Sequence, residues 1–161
     1  MTIKVGDKLP SATFRVMTAD GPKPKTTDEI FKGKKVALFA VPGAYTPTCN
    51  NLHMPSFVNN AAAIKAKGVD TIAVTAVNDV FVLDAWKKAT NADGKIDFLA
   101  DGNGEFAKAV GMDFDGAGAG LGVRSKRYSM LVEDGVVKSL NLEDAPGQCT
   151  ISGGDTLLKQ L

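Results

Sequence analysis

The chain predicts an α/β fold in which a central mixed β-sheet is flanked by helices. From residue 36 to about residue 110, short apolar runs alternate with stretches of helical periodicity, the pattern of strands joined by parallel crossovers. Beyond residue 127 the rhythm changes to two strand-like runs around Asp134-Gly135, a pair suited to a tight primed turn, so the sheet finishes antiparallel. The length of 161 residues suits one compact domain, 1–161, able to bury about 70% of its unfolded surface.

The elements follow in order. Residues 36–41 (VALFAV) form the first buried strand, and PGAYTPT makes a turn. The segment 49–67 has Phe57, Ala61 and Ile64 at helical spacing, with Pro55 placed to kink it. Gly68 stops this helix and residues 69–77 (VDTIAVTAV) make a second buried strand. Asn78 or Asp79 caps the next helix, whose Phe81, Val82, Ala85, Trp86 and Ala89 are read as one apolar face, with Trp86 in the core. Residues 95–100 give a third strand and 105–110 a short helix ended by Gly111. Residues 127–133 and 136–142 form the hairpin. Ser152 with Asp155 resembles a capping box for a terminal helix whose apolar face is Leu157, Leu158 and Leu161.

Composition narrows the function. A 44% hydrophobic, 23% charged chain is ordinary for a globular protein, and a net charge of +1 lacks the basic surplus of a nucleic-acid binder. No stretch approaches the ~18–20 apolar residues of a membrane span, and residues 1–8 are polar where a secretory signal would be apolar, so a cytoplasmic location is expected. The glycine-rich stretch 116–122 (GAGAGLG) fits no phosphate-binding spacing and reads as a flexible lid or edge loop. Two cysteines and one histidine make neither a disulfide framework nor an ordinary zinc site. Each cysteine must therefore be explained by reactivity or by packing.

Cys49 follows a strand and two prolines at the start of a helix, where unpaired backbone N–H groups and the helix dipole favour a negative sulfur. Lowering a thiol from pKa ~8.5 to about 6 raises its thiolate fraction at pH 7 from about 3% to ~90%. That shift needs ~3.4 kcal/mol, more than a helix end supplies, so a nearby cation is required. Arg124, Lys126 and Arg127 are the candidates, against the plain alternative of a solvated basic edge. Strand alternation puts Arg127 on the face of Ser129 and Leu131, and its fixed charge and several donors suit both sulfur and an incoming oxygen ligand. Thr46, Pro42 and Pro47 also read as simple turn residues. His53, four residues after Cys49, suggests a Cys-His pair, although a packing or hydrogen-bonding role is commoner and no orienting third group is evident.

The run Pro42-Gly-Ala-Tyr-Thr46-Pro-Thr-Cys49 resembles the PxxxTxxC motif of peroxiredoxins, in the form used by the peroxiredoxin 5 group. The likeness continues through Val77-Asn78-Asp79, Leu99-Ala100-Asp101 and Arg124-Ser-Lys-Arg127-Tyr-Ser-Met. It implies a thioredoxin-like fold with an N-terminal extension, and thiol peroxidase activity without metal, flavin or haem. It further implies Cys49 as the peroxidatic cysteine passing through a sulfenic acid, Thr46 as the hydroxyl that bonds sulfur and peroxide, Pro42 as a shield and Arg127 as the electrostatic partner. Leu121 and Gly122 are expected to rim the substrate pocket. Hydrogen peroxide and small organic hydroperoxides are the implied substrates, glutathione with glutaredoxin or thioredoxin the implied reductants, and a homodimer the implied assembly.

Cys149 lies after a Pro-Gly turn and close to where animal-type members of the group keep a resolving cysteine, so it either resolves Cys49 internally or fills a small apolar site. Residues 69–79 lack the cysteine that plant-type relatives use. A second class of function, a peroxide sensor or redox relay using the same Cys49, stays open. A thioredoxin-type disulfide reductase is disfavoured, because Thr46 and Leu52 stand where a CxxC pair with Cys49 would need cysteine.

Overall fold

The structure, a computed structural model, describes residues 2–161. It contains strands β1 (Thr13–Thr18) and β2 (Gly21–Thr26), helix α1 (Thr27–Phe31) and β3 (Lys35–Ala40). A π-helical turn (Cys49–His53) leads into α2 (Met54–Ala66), followed by β4 (Thr71–Ala76), α3 (Val80–Ala89), β5 (Asp97–Ala100) and α4 (Glu105–Ala109). Then come β6 (Asp113–Asp115), a 3₁₀ turn (Ala117–Ala119), β7 (Val123–Ser125), β8 (Tyr128–Glu133), β9 (Val136–Leu142) and α5 (Gly154–Lys159). Seven strands form one sheet in the order β2-β1-β5-β4-β3-β8-β9, and β6 and β7 form a separate ribbon.

The sheet is mixed, as the alternating pattern predicts: β3, β4 and β5 are parallel, and β8 joins β3 antiparallel. Side chains alternate between its faces. Ala37, Phe39, Ile72, Val74 and Leu131 point to one face, where Phe57 and Ile64 of α2, Leu83 and Trp86 of α3 and Leu157 of α5 cover them. Val36, Leu38, Ala40, Tyr128 and Met130 point to the other, against Phe14, Phe31 of α1 and Phe106 of α4. The β8–β9 hairpin turns on Asp134 and Gly135 with φ of 47° and 78°, the left-handed pair that a primed turn demands.

Three local expectations are corrected, and one region without an expected element proves to be structured. The β1–β2 hairpin and α1 carry no strong periodic signal, because Pro22 and Pro24 lie in β2; they are tolerated there since β2 is an edge strand whose outer side needs no ladder donors. The apolar face of α3 is Val80, Leu83 and Trp86, whereas Phe81 is 64% exposed. The expected Ser152 capping box is absent: α5 has Gly153 as its N-cap, and Ser152 Oγ is drawn instead to Glu143. The glycine-rich stretch is the tip of the β6–β7 ribbon, tied by the Gly116 N–H to the Gly122 carbonyl at 2.6 Å. A Cβ on Gly116 would lie 2.9 Å from that same carbonyl oxygen, which keeps a side chain out.

Candidate active site

The loop after β3 is held by side chains from two other parts of the chain and by one of its own. The Arg124 guanidinium donates to the Pro42 carbonyl from Nη1 at 3.2 Å and to the Leu121 carbonyl from Nε at 2.9 Å. A Cβ on Gly43 would meet Arg124 Nη1 at 2.6 Å, so glycine leaves room for this brace. The Ala44 N–H donates to Asn78 Oδ1 at 2.9 Å, while the neighbouring Asp79 caps α3 through the Val82 N–H at 2.8 Å. The Thr46 hydroxyl donates to the Gly43 carbonyl at 2.7 Å, and helical structure begins at Pro47, whose missing N–H costs nothing at that position. Cys49 therefore sits in the first helical turn, where backbone N–H groups point outward unpaired.

The next turn is π-helical: the Met54 N–H reaches the Cys49 carbonyl, and Pro55, at the start of α2, supplies no N–H to tighten it. In this widened turn Cys49 and His53 both meet one guanidinium. Arg127 Nη2 donates to Cys49 Sγ at 2.9 Å, Nη1 donates to His53 Nδ1 at 2.9 Å, and Nε donates to the Pro146 carbonyl at 3.1 Å. Arg127 has five N–H donors. Two of them, one on each Nη, have no protein acceptor among the described residues.

His53 Nε2 lies 2.9 Å from the Ser152 carbonyl, an acceptor only, so the proton sits on Nε2 and the Nδ1 lone pair faces Arg127. Phe39 and Phe57 stack at 4.0 Å beside the imidazole. Burial lowers the His53 pKa to about 3, helped by the Arg127 charge and opposed by the Ser152 carbonyl. The imidazole is thus a neutral acceptor at ordinary pH. His53 does not act as the base of a Cys-His pair in this arrangement; it holds the arginine that holds the sulfur.

Glu143 completes the surroundings. Its carboxylate accepts from the backbone N–H groups of Thr150, Ile151 and Ser152 and from the Thr150 and Ser152 hydroxyls. Burial alone would raise this carboxyl, but those hydrogen bonds outweigh it and hold the pKa below the usual range. The loop so gathered carries Cys149, which is half-buried and in no disulfide, its thiol pushed up by burial against the influence of a Ser152 hydrogen bond and the Arg127 charge.

Of the three candidate cations, Arg127 alone reaches Cys49. Arg124 braces Pro42, and Lys126 makes no hydrogen bond to the sulfur among the described residues. Leu121 is joined to Pro42 through Arg124, whereas Gly122 is exposed and spends its carbonyl on Gly116. Cys49 itself is fully buried in the fold. Sequence reasoning missed the roles of Asn78, Arg124 and Glu143, while for His53 the hydrogen-bonding role it ranked above a Cys-His pair is the one found, with partners it did not name. The nearest signal was the four-residue spacing of Cys49 and His53.

A thiol at a helix start, bonded by a buried guanidinium at the ends of two interior strands of a mixed α/β sheet, defines a thiol-based oxidoreductase with an anion-stabilising site. Known proteins narrow the class. The Redoxin family model matches residues 4–158. A chloroplastic peroxiredoxin-2E-2 of Oryza sativa is 50% identical over 99% of this chain and 73% of its own length. A chloroplastic peroxiredoxin-2E of Arabidopsis thaliana is 46% identical over 99% of this chain and 70% of its own. The crystal structure of reduced Prx3 with hydrogen peroxide from Vibrio vulnificus superposes with a TM-score of 0.94 at 47% identity, covering 99% of both chains. The chain belongs to the redoxin family and, within it, to the peroxiredoxins; its fold is thioredoxin-like and it is a thiol-dependent peroxidase.

The same relatives overturn the cytoplasmic expectation, since the two plant proteins are chloroplastic by name. The physical reason is simple. A polar stretch at residues 1–8 argues only against an apolar secretory signal and carries no information that separates one compartment from another.

Proposed function

We propose that Cys49 is the peroxide-reactive thiol of a single redoxin unit, with Arg127, Thr46 and Pro42 as its immediate machinery. The observation that carries this reading is the 2.9 Å contact from Arg127 Nη2 to Cys49 Sγ, made by a guanidinium whose other nitrogens are fixed by His53 and Pro146. A fixed charge there favours the thiolate, and its remaining N–H groups are preorganised for an oxygen that gains charge as the O–O bond stretches. Thr46 directs its proton at Gly43, so its oxygen offers lone pairs to the O–H of a peroxide. Pro42, buried behind the loop, keeps water from the sulfur. Leu121 and Gly122 form the outer rim, Leu121 through its tie to Arg124.

In the reaction the Cys49 thiolate attacks one peroxide oxygen. A sulfur–oxygen bond forms, the O–O bond breaks, and the leaving oxygen takes a proton to depart as water or an alcohol, leaving a sulfenic acid. Two thiol electrons restore the sulfur. They come either from Cys149, through an internal disulfide that a reductant then opens, or directly from glutathione with glutaredoxin, or from thioredoxin. Hydrogen peroxide and small organic hydroperoxides are the substrates, in keeping with the peroxide-bound relative from Vibrio vulnificus. The protein works as a homodimer, a reading supported by exposed apolar side chains close to the site: Tyr45 at 50%, Phe81 at 64% and Val82 at 36% exposure.

The test is turnover. Reduced protein with excess hydrogen peroxide should consume many equivalents with a thiol reductant system and lose this entirely as Cys49→Ser, whereas a sensor stalls near one equivalent. Peptide mapping after one equivalent distinguishes the recycling routes: a 49–149 linkage within one chain marks internal resolution, and a persistent sulfenic acid marks an external donor.

A further inference from the structure

Beyond the residues that face the sulfur, one buried charge stands out. Glu143 is only 6% exposed, and among the described residues it forms no ion pair with Lys or Arg. Its carboxylate is satisfied by five donors, all from residues 150–152. An unpaired buried carboxylate is costly unless its lone pairs are filled, so this cluster holds the loop in one conformation. Glu143 also bonds the arginine's own backbone: its N–H donates to the Arg127 carbonyl at 3.1 Å.

The loop conformation matters because of Ser152. The Ser152 N–H and hydroxyl both donate to Glu143 Oε2, at 2.7 and 2.6 Å, while its carbonyl accepts the His53 Nε2 proton at 2.9 Å. That carbonyl is what keeps the proton on Nε2 and leaves Nδ1 free to accept from Arg127. If residue 152 were released, the imidazole would be free to rotate or to move its proton to Nδ1, and Arg127 Nη1 would face a donor instead of an acceptor.

We propose that Glu143 is a positioning residue for the peroxide reaction, acting through the Ser152 carbonyl and the His53 tautomer to hold Arg127 on the Cys49 sulfur. This rests on the reading of Cys49 and Arg127 given above. Because Glu143 touches neither sulfur nor substrate, its removal weakens a contact without deleting one. The expected loss is therefore that of an energetically coupled network position, roughly 2- to 30-fold in the rate constant with hydrogen peroxide.

The test compares wild type, Glu143→Ala and Glu143→Gln by stopped-flow with hydrogen peroxide and by ¹⁵N NMR of the imidazole. The chain contains one histidine, so that spectrum reports His53 alone. Glu143→Ala should lower the rate constant within the stated range and turn a single Nε2–H tautomer into a mixture. Glu143→Gln keeps a carbonyl oxygen for the three backbone N–H groups and should retain most of the rate and the tautomer. If Glu143→Ala does not fold, Thr150→Val combined with Ser152→Ala removes the two hydroxyl donors and should move both readouts in the same direction by less. A folded Glu143→Ala, or that double variant, with unchanged rate and unchanged imidazole spectrum overturns the proposal. Cys49→Ser separates the two failures: peroxide consumption surviving there sinks the reading of Cys49, while a dead Cys49→Ser beside a fully active Glu143→Ala sinks only the role of Glu143.

Discussion

Arg127 holds a sulfur and an imidazole with one planar group, and in the proposed reaction its remaining N–H groups serve the oxidant. A lysine keeps the charge but not the fork, so Arg127→Lys should drop the rate constant with hydrogen peroxide about 10²-fold or more, as for loss of a preorganised donor. Arg127→Ala, which removes charge and fork together, should lose more. Stopped-flow across pH reads both, and a Lys variant with wild-type kinetics would show that charge alone suffices. Cys49 at its helix start was legible in the sequence, and Arg127 was legible through the resemblance to the peroxiredoxin motif, which singled it out from Arg124 and Lys126. The partners of His53 and the role of Glu143 were not: His53 meets Arg127 only when a residue 74 positions away is folded against it, and Glu143 is surrounded by backbone N–H groups that no side-chain pattern announces.

At the level of elements, the site depends on how helix starts are pinned. Asp79 caps α3 by accepting the Val82 N–H, and the adjacent Asn78 anchors the loop of Thr46 through the Ala44 N–H. Asp79→Ala should cost about 1 kcal/mol of stability, read as a lower urea midpoint with an unchanged slope; no change would mean that the cap contributes nothing. The central strands, α2 and the Asp134-Gly135 hairpin were readable because burial on both faces or tight turn chemistry leaves a plain mark. The face of α3 was misread since apolar residues occur all round it, and Phe81 and Val82 point outward. The capping box at Ser152 failed for a different reason: a buried carboxylate from β9's end competes for the same hydroxyl.

For the molecule as a whole, the buried neutral His53 predicts acid sensitivity. With its pKa near 3 in the fold and near 6.5 when unfolded, the unfolded chain binds more protons between those values, so stability falls as pH drops from 6.5 towards 3. The loss is on the order of 4 kcal/mol. Glu143, also held low, adds to it as pH falls through its folded value, while Asp101, raised by burial, works in the opposite direction. Urea unfolding at stepped pH measures this, and His53→Gln should flatten much of the slope. If the exposed apolar side chains beside the site are the dimer surface, Phe81→Asp should convert a sedimenting dimer to a monomer; an unchanged sedimentation coefficient would place the interface elsewhere. Which sulfur meets the oxidant first decides the chemistry of the site. Reduced Cys149→Ser protein treated with one equivalent of hydrogen peroxide and a sulfenic-acid trap should carry the adduct on Cys49 in near-stoichiometric yield. Recovery of Cys49 as a free thiol while the peroxide disappears would contradict it.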